Sequence, residues 1–143
     1  MNSAATLIAE LGEGLRRTHQ GYERLQQLLE RQFQAALRHA AAEIGEISEE
    51  IASQVQLIEA QGRRDREVLA ALLGSEHGRP SVRELLRRLP RQKAAPLLQR
   101  WRALQRQLAD CKALNLRNNQ LMTEQQALMQ QLLGREEHIY AER

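Results

Sequence analysis

The sequence predicts an all-α protein, folded as an elongated antiparallel bundle of three long helices with a short basic helix in the second connection. Two observations support this fold class. Aromatic residues make up only 3% of the 143 residues while Leu, Gln, Ala, Arg and Glu dominate, a composition typical of long helices and coiled coils. Apolar residues also recur at alternating spacings of three and four along three segments, which is the pattern of helices packed on helices.

The first long helix is predicted to begin after an N-cap at Asn2 or Ser3. Its apolar seam comprises Ile8, Leu11, Leu15, Thr18, Tyr22, Leu25 and Leu29. Gly12, Gly14 and Gly21 interrupt this helix, each at a cost of about 1 kcal/mol relative to Ala. Two explanations stay open: the first turns fray, or a neighbouring helix packs closely against the glycines.

The second long helix has a seam in a different register, which starts after the alanine-rich stretch 38–42. The seam comprises Ile44, Ile47, Ile51, Val55 and Ile58 and ends in Val68, Leu69, Leu72 and Leu73. The change of register predicts a bend or a short break between the first two helices. Gly74 is placed to end the second helix, because glycine readily adopts the backbone conformation that follows a helix.

A short basic helix is predicted next, because Ser81 and Glu84 have the spacing of a capping box. It is expected to run from Leu85 to Leu89 and to stop at Pro90. A loop carrying Lys93 should follow it.

The final helix is predicted to start near Pro96, which suits a first helical turn, and to stop at Gly134. Its seam comprises Leu97, Trp101, Leu104, Leu108, Cys111, Asn115, Asn118, Met122, Gln125, Met129 and Leu132. We therefore expect one helical-bundle domain over residues 1–143, in which residues 135–143 form a flexible tail.

Basic residues concentrate in residues 79–106, where only Glu84 is acidic. The basic set is Arg79, Arg83, Arg87, Arg88, Arg91, Lys93, Arg100, Arg102 and Arg106. Such a cluster is more often a solvated helix face than a binding surface, and we favour that interpretation. A nucleic-acid interface is the alternative, although Trp101 is its only aromatic residue and a stacking platform is missing.

The sequence offers no pattern of catalytic, cofactor-binding or metal-binding residues, so we expect no enzyme activity and no cofactor. The four histidines, at positions 19, 39, 77 and 138, are scattered, and Cys111 is the only cysteine. The N-terminus lacks a basic n-region, and no apolar run approaches the roughly 18 residues of a membrane span. We therefore expect a cytoplasmic protein without membrane insertion.

The final helix carries the candidate partner-binding residues, because two apolar stripes lie side by side on it. Asn115 and Asn118 occupy seam positions, while Leu114, Leu121 and Leu128 form a second stripe at seven-residue spacing. The candidate set is Leu114, Asn115, Asn118, Asn119, Leu121, Met122, Leu128, Met129 and Leu132. The alternative, equally open, is that the asparagines fix the register inside the bundle.

The sequence resembles the flagellar export chaperones of the FlgN type. The similarity covers nearly the whole chain as a pattern, including residues 66–74, REVLAALLG, and most specifically residues 114–122, LNLRNNQLM. The resemblance implies a cytoplasmic, non-catalytic helical protein of flagellar type III secretion. It also implies two partners: cargo, namely the C-terminal helical segments of hook-filament junction proteins, and the flagellar export apparatus.

Ile139 and Tyr140 are the apolar residues of an otherwise polar C-terminus. They either pack back on the bundle or, as the resemblance suggests, dock the loaded chaperone to the export machinery. Family members often carry a glycine after this tyrosine, whereas Ala141 stands here. A passive coiled-coil scaffold remains the main alternative function, and a homodimer remains open.

Overall fold

The computed structural model describes residues 3–74 and 81–141, with side chains described as far as Arg135. All regular structure in these residues is helical, in four helices without a strand: α1 Ala4–Leu37, α2 Ala41–Leu73, α3 Val82–Arg88 and α4 Arg91–Ala141. None of the described helices has a stretch long and apolar enough to cross a membrane.

The predicted break between the first two helices is confirmed, and it is a tight helical hairpin. His39 adopts a left-handed conformation with φ of 56°. The backbone N–H groups of His39 and Ala40 donate to the carbonyls of Ala36 and Ala35, each at 3.0 Å. These two bonds form a Schellman motif, which ends α1 by satisfying its last carbonyl groups.

The predicted caps at both ends of the second connection are also present. Gly74 ends α2 with φ of 81°, a value that glycine adopts without strain. Ser81 caps α3, since its Oγ accepts from the Glu84 backbone N–H at 3.1 Å. The loop between them, residues 75–80, lies outside the described part of the chain.

The predicted bounds of the final helix are wrong at both ends. The Pro90 carbonyl accepts the N–H groups of Lys93 at 3.0 Å and Ala94 at 2.9 Å, so the helix has already begun where we expected a loop. Pro96 then lies inside α4, near its start, where it removes a single helical hydrogen bond. Gly134 does not end α4, because one glycine weakens a helix by about 1 kcal/mol without forbidding it. The backbone is helical as far as Ala141, and the flexibility expected of residues 135–143 stays a prediction.

The three long helices lie side by side with α1 in the middle. α2 runs antiparallel to α1, with Asp65 beside Gly14 and Ile58 beside Gly21. α4 runs parallel to α1, since Arg100 contacts Gly12 and Gln125 contacts Ala36. The predicted antiparallel packing is therefore found between α1 and α2 and not between α1 and α4. In the described residues no Cα atom of α2 comes within 8 Å of a Cα atom of α4. The two outer helices are therefore separated along their length.

Gly14 and Gly21 of α1 permit a close approach of α2. Of the two explanations for these glycines, fraying of the first turns or close packing of a neighbouring helix, the structure supports close packing. A Cβ at Gly14 would overlap the Asp65 carboxylate, and one at Gly21 would lie 2.9 Å from Ile58 Cγ1. These two positions are seven residues apart and therefore on one face of α1. Glycine at both positions lets two turns of α1 sit directly against α2.

Two apolar clusters form the core. The first joins all four helices and comprises Leu11, Leu15, Leu69, Leu73, Leu85, Leu97 and Leu104. The second comprises Leu25, Leu29 and Cys111, flanked by half-buried Tyr22, Ile51, Val55, Ile58 and Leu114. Only the first includes α3, so α3 covers one end of the space between α2 and α4 and leaves the other end uncovered.

Candidate functional site

α4 extends well beyond the helix on which it packs. Among the described side chains, its last polar contact with α1 is the bond from Gln125 Nε2 to the Ala36 carbonyl at 2.8 Å, and α1 ends one residue later at Leu37. We call residues 126–141 of α4 the overhang. At a rise of 1.5 Å per residue this segment is about 24 Å long, and its backbone has no α1 beside it.

The overhang exposes large apolar side chains. The exposed fraction is 60% for Leu128, 57% for Met129, 55% for Leu132 and 51% for Leu133. These positions share one side of the helix because they are spaced by one, four and five residues. We call these four residues the overhang face. Half-buried Leu121 and Met122 lead into it from the packed part of α4.

The overhang face lies in an uncharged stretch. Residues 125–134 contain no Asp, Glu, Lys or Arg, and the nearest charged residues are Glu124 and Arg135. Gln and Ala fill the other positions of this stretch, apart from Gly134. A partner would therefore be bound by apolar contact and amide hydrogen bonds, with little dependence on ionic strength.

Asn118 is a packing residue. It is fully buried, and its Nδ2 donates to the Leu29 carbonyl at 2.7 Å and to Gln32 Oε1 at 2.9 Å. Its Oδ1 accepts from the Arg117 guanidinium at 3.1 and 3.2 Å. All hydrogen-bonding groups of its side chain are used within the protein, so this side chain is not available to a partner. Asn118 instead fits the alternative in which a seam asparagine fixes the register of the helices.

Asn118 is one member of a ladder between α4 and α1. Polar side chains of α4, spaced by seven, eleven and seven residues, donate to backbone carbonyls of α1. The bonds are Arg100 to Gly12 at 2.8 Å, Gln107 to His19 at 3.3 Å, Asn118 to Leu29 at 2.7 Å and Gln125 to Ala36 at 2.8 Å. A helical carbonyl can accept a second hydrogen bond through its remaining lone pair. The ladder therefore fixes the register of α4 on α1, and it ends where α1 ends.

The other predicted site residues are distributed over the packed part of α4. Leu114 is half-buried against the second core cluster. Asn115 and Asn119 are both exposed, and Asn115 lines a groove between α2 and α4. The structure thus separates the two asparagines of the seam, one in the core and one at the surface.

That groove is a second candidate site, which the sequence analysis missed. It has a volume of about 420 Å³ and a floor of α1 side chains. Its lining comprises Tyr22, Leu25, Leu29, Ile51, Val55, Ile58, Glu59, Leu108, Cys111, Lys112 and Asn115. Most of these residues are seam positions of the three long helices, and residues at such positions are normally buried in the core. Their spacing in the sequence therefore gave no sign that α2 and α4 are separated.

The lining of the groove is suited to binding a partner through packing contacts, because its thiol and phenol groups stay protonated at neutral pH. Burial, with a smaller effect from Asp110, raises the pKa of the Cys111 thiol to about 11, so the thiol stays protonated and poorly nucleophilic at neutral pH. Burial also raises the pKa of Tyr22. In the described residues no group of three or more His, Cys, Asp or Glu side chains is placed to hold a metal ion.

Several members of the basic cluster have partners inside the protein. Arg100 belongs to the ladder, and the Arg83 guanidinium lies 5.9 Å from the centre of the Trp101 ring. Arg87 and Arg88 both pair with Glu84, at 3.6 Å. Arg79 lies outside the described residues. These contacts favour a structural use for much of the cluster.

The side chains of Ile139 and Tyr140 also lie outside the described part of the structure. Their backbone belongs to α4. The alternatives of packing back and of docking to the export machinery therefore both stay predictions.

Comparison with known protein families gives a match over most of the chain. The model of the FlgN family, described as FlgN protein, matches residues 1–134 of the chain. No curated protein and no solved structure matches it.

Proposed function

The chain belongs to the FlgN family, and we propose that it binds the helical C-terminal segments of hook-filament junction proteins in the cytoplasm and delivers them for export. Membership of the family implies a flagellar export chaperone role. The finer proposal names the cargo, and adds that binding prevents premature assembly of that cargo.

The exposed overhang face is the observation that carries this proposal. Four large apolar side chains, each more than half exposed, stand on a part of α4 that has no other described helix beside it. An amphipathic cargo helix would cover that face by the helix-in-groove mode of recognition. A passive scaffold would be expected to bury such a face in its own structure, so the exposed residues favour the chaperone.

The chemistry of the face suits temporary binding. An unassembled subunit with an unpaired apolar helix is prone to aggregate, and the overhang face would shield that helix until export. Ordering a cargo segment costs roughly 2–5 kcal/mol of the gross interaction energy. Methionine at position 129 adds an adaptable contact, because its side chain fits differently shaped partners.

The test is a peptide-binding measurement with a matched control. The probe is a labelled peptide with the C-terminal sequence of a hook-filament junction protein. Replacing Leu128 and Leu132 together by Ala should weaken binding by more than about 1 kcal/mol, the scale of a modest hot spot. Leu116→Ala is the control, because Leu116 lies on the same helix and is 58% exposed but lies off the overhang face.

Unfolding temperatures decide how the result is interpreted. The double variant should unfold at the wild-type temperature, because neither leucine is buried. A large loss of stability with unchanged affinity per folded molecule would assign these residues to a core and defeat the proposal. Equal weakening by Leu116→Ala would mean that the surface is unspecific.

Export docking by Ile139 and Tyr140 is a separate part of the proposal, supported by the family resemblance. Tyr140→Ala should leave folding and peptide binding unchanged and reduce export of the junction proteins. Glu142→Ala is the control in the same segment. Wild-type export by Tyr140→Ala, at wild-type abundance of the variant, would remove Tyr140 from the site.

A further inference from the structure

The space between α2 and α4 is filled by α3 at one end, and the groove is the other end of that space, where no described helix lies. At the first core cluster, α3 contacts both outer helices and places Leu85 among apolar residues of α1, α2 and α4, leaving it only 3% exposed. At the second cluster no described element takes the place of α3. The protein itself therefore demonstrates that an amphipathic helix fits between α2 and α4.

The uncovered part of the groove has the dimensions of a short helix. On α1 its floor runs from Tyr22 to Leu29, and its α2 wall runs from Ile51 to Ile58. The two ends of each are seven residues apart, which is about two helical turns or about 11 Å. Such a space accommodates three apolar anchors of a helix, at positions i, i+3 or i+4, and i+7.

The α4 wall of the groove continues into the overhang without a break. Leu108, Asn115, Met122 and Met129 follow one another at seven-residue spacing, so they share one side of α4. Leu108 and Asn115 line the groove, Met122 is half-buried, and Met129 belongs to the overhang face. From Leu108 to Met129 this stripe is about 32 Å long.

We propose that the groove and the overhang face bind one continuous partner helix of about 20 residues, whose inner end stops at α3. The occupant is an amphipathic helix of the export cargo, so this inference rests on the proposed function. It names what that function leaves open, namely how much of the cargo helix is held and where its end lies.

The rims of the groove specify the flanks of that helix. Glu59 stands on the α2 side and Lys112 on the α4 side, while the remaining lining is apolar apart from Asn115 and the hydroxyl group of Tyr22. A helix seated between them carries a basic residue on the flank that faces α2 and an acidic residue on the flank that faces α4. The overhang, uncharged at residues 125–134, makes no comparable demand.

The first experiment blocks the groove and measures binding of the same labelled C-terminal peptide. Val55→Trp fills the groove and should weaken binding at least tenfold. Leu57→Trp is the matched control, because Leu57 is 65% exposed and lies on the opposite side of α2, outside the groove lining. It should change affinity less than twofold.

The second experiment locates the occupant directly, and it does not depend on the folding of a bulky variant. A photo-crosslinking amino acid at position 55 should couple to the peptide, and the same group at position 57 should not. Coupling of position 55 to a second copy of this chain, with no peptide product, would overturn the proposal in favour of self-association.

The two proposals fail in different ways. Absence of peptide binding by the wild-type chain would overturn both. Wild-type affinity in Val55→Trp, with the Leu128 and Leu132 double variant impaired, would overturn the groove inference and leave the chaperone function intact.

Discussion

The packed part of α4 and its overhang are one continuous helix with opposite surroundings. Between Leu97 and Gln125 the seam of α4 is buried or half-buried except at Asn115, and Asn118 and Gln125 are hydrogen-bonded to carbonyls of α1. From residue 126 to residue 135 every described side chain is exposed. The apolar spacing is similar in both parts, so the pattern alone does not decide burial. The difference arises from α1, which ends at Leu37.

The comparison separates helix formation from helix packing. α4 continues past the end of α1 because its residues favour the helix locally. Packing requires a second helix, and the overhang has none in the described structure. A helix that keeps its apolar face after losing its neighbour retains a binding surface, and this is the physical basis of the proposed chaperone site.

The largest effect is expected when the same substitution is made in both parts. Leu104 is 7% exposed and belongs to the first core cluster, so Leu104→Ala should lower the free energy of unfolding by about 2–4 kcal/mol. Leu132→Ala in the overhang should change it by about 0.5 kcal/mol or less. Urea denaturation of both variants measures the difference. Comparable losses would mean that the overhang is packed in solution.

A sharper version of the comparison uses two adjacent asparagines. Asn118→Ala removes the hydrogen bonds to Leu29 and Gln32 in a buried site and should cost about 1–3 kcal/mol. Asn119→Ala, at an exposed position, should be nearly neutral. The measurement is again urea denaturation, and equal effects would contradict the ladder as a source of stability.

A smaller, stabilising effect is expected at the residue that ends α1. His39 adopts a left-handed conformation, which costs roughly 1–2 kcal/mol for a residue with a Cβ. His39→Gly relieves this strain and, after the greater freedom of glycine in the unfolded chain is counted, should stabilise the protein by about 0.5–1 kcal/mol. His39→Val should destabilise it. A loss of stability in His39→Gly would show that the imidazole makes a compensating contact.

Local signals predicted much of the fold. The caps at Ser3 and Ser81, the break after Leu37 and the end of α2 at Gly74 all depend on neighbouring residues, and each is present. The bounds of the final helix, at Pro96 and Gly134, were predicted wrongly because one unfavourable residue was given more weight than the helix-favouring residues around it. The antiparallel packing of all three long helices was not found either, because the choice of neighbour for α4 depends on contacts between distant residues.

The site was harder to predict because exposure depends on distant elements. The position of α1's end relative to α4 decides that Leu128 is exposed while Leu104 is buried, and spacing along α4 carries no information on it. The same reason explains Asn115 and Asn118, which are equivalent in the seam and differ in burial. The groove depends on the separation of α2 and α4, which no local pattern encodes.

The smallest expected change in stability concerns the side of α1 that packs on α2. A carboxylate, Asp65, is packed there in place of an apolar side chain. Asp65 of α2 lies against Gly14 and accepts a hydrogen bond from Gln61 Nε2 at 3.0 Å. Burial raises the pKa of Asp65, and the bond from Gln61 together with the charges of Arg17 and Arg66 only partly opposes this effect.

A carboxyl whose pKa is higher in the folded than in the unfolded protein favours folding while it is protonated. Its contribution to the free energy of unfolding is complete below the unfolded pKa, near 3.8, and is lost as the pH rises through the higher folded pKa.

Asp65→Asn keeps an acceptor for Gln61 and cannot ionise. Its stability relative to wild type should therefore rise with pH across this window and then stay constant, with a gain of about 0.5 kcal/mol or less at neutral pH. Glu67→Gln, at an exposed position of α2, is the control for the loss of a negative charge. Urea denaturation at a series of pH values measures the difference, and a gain in Asp65→Asn that is absent at neutral pH or matched by Glu67→Gln would contradict the buried-carboxylate explanation.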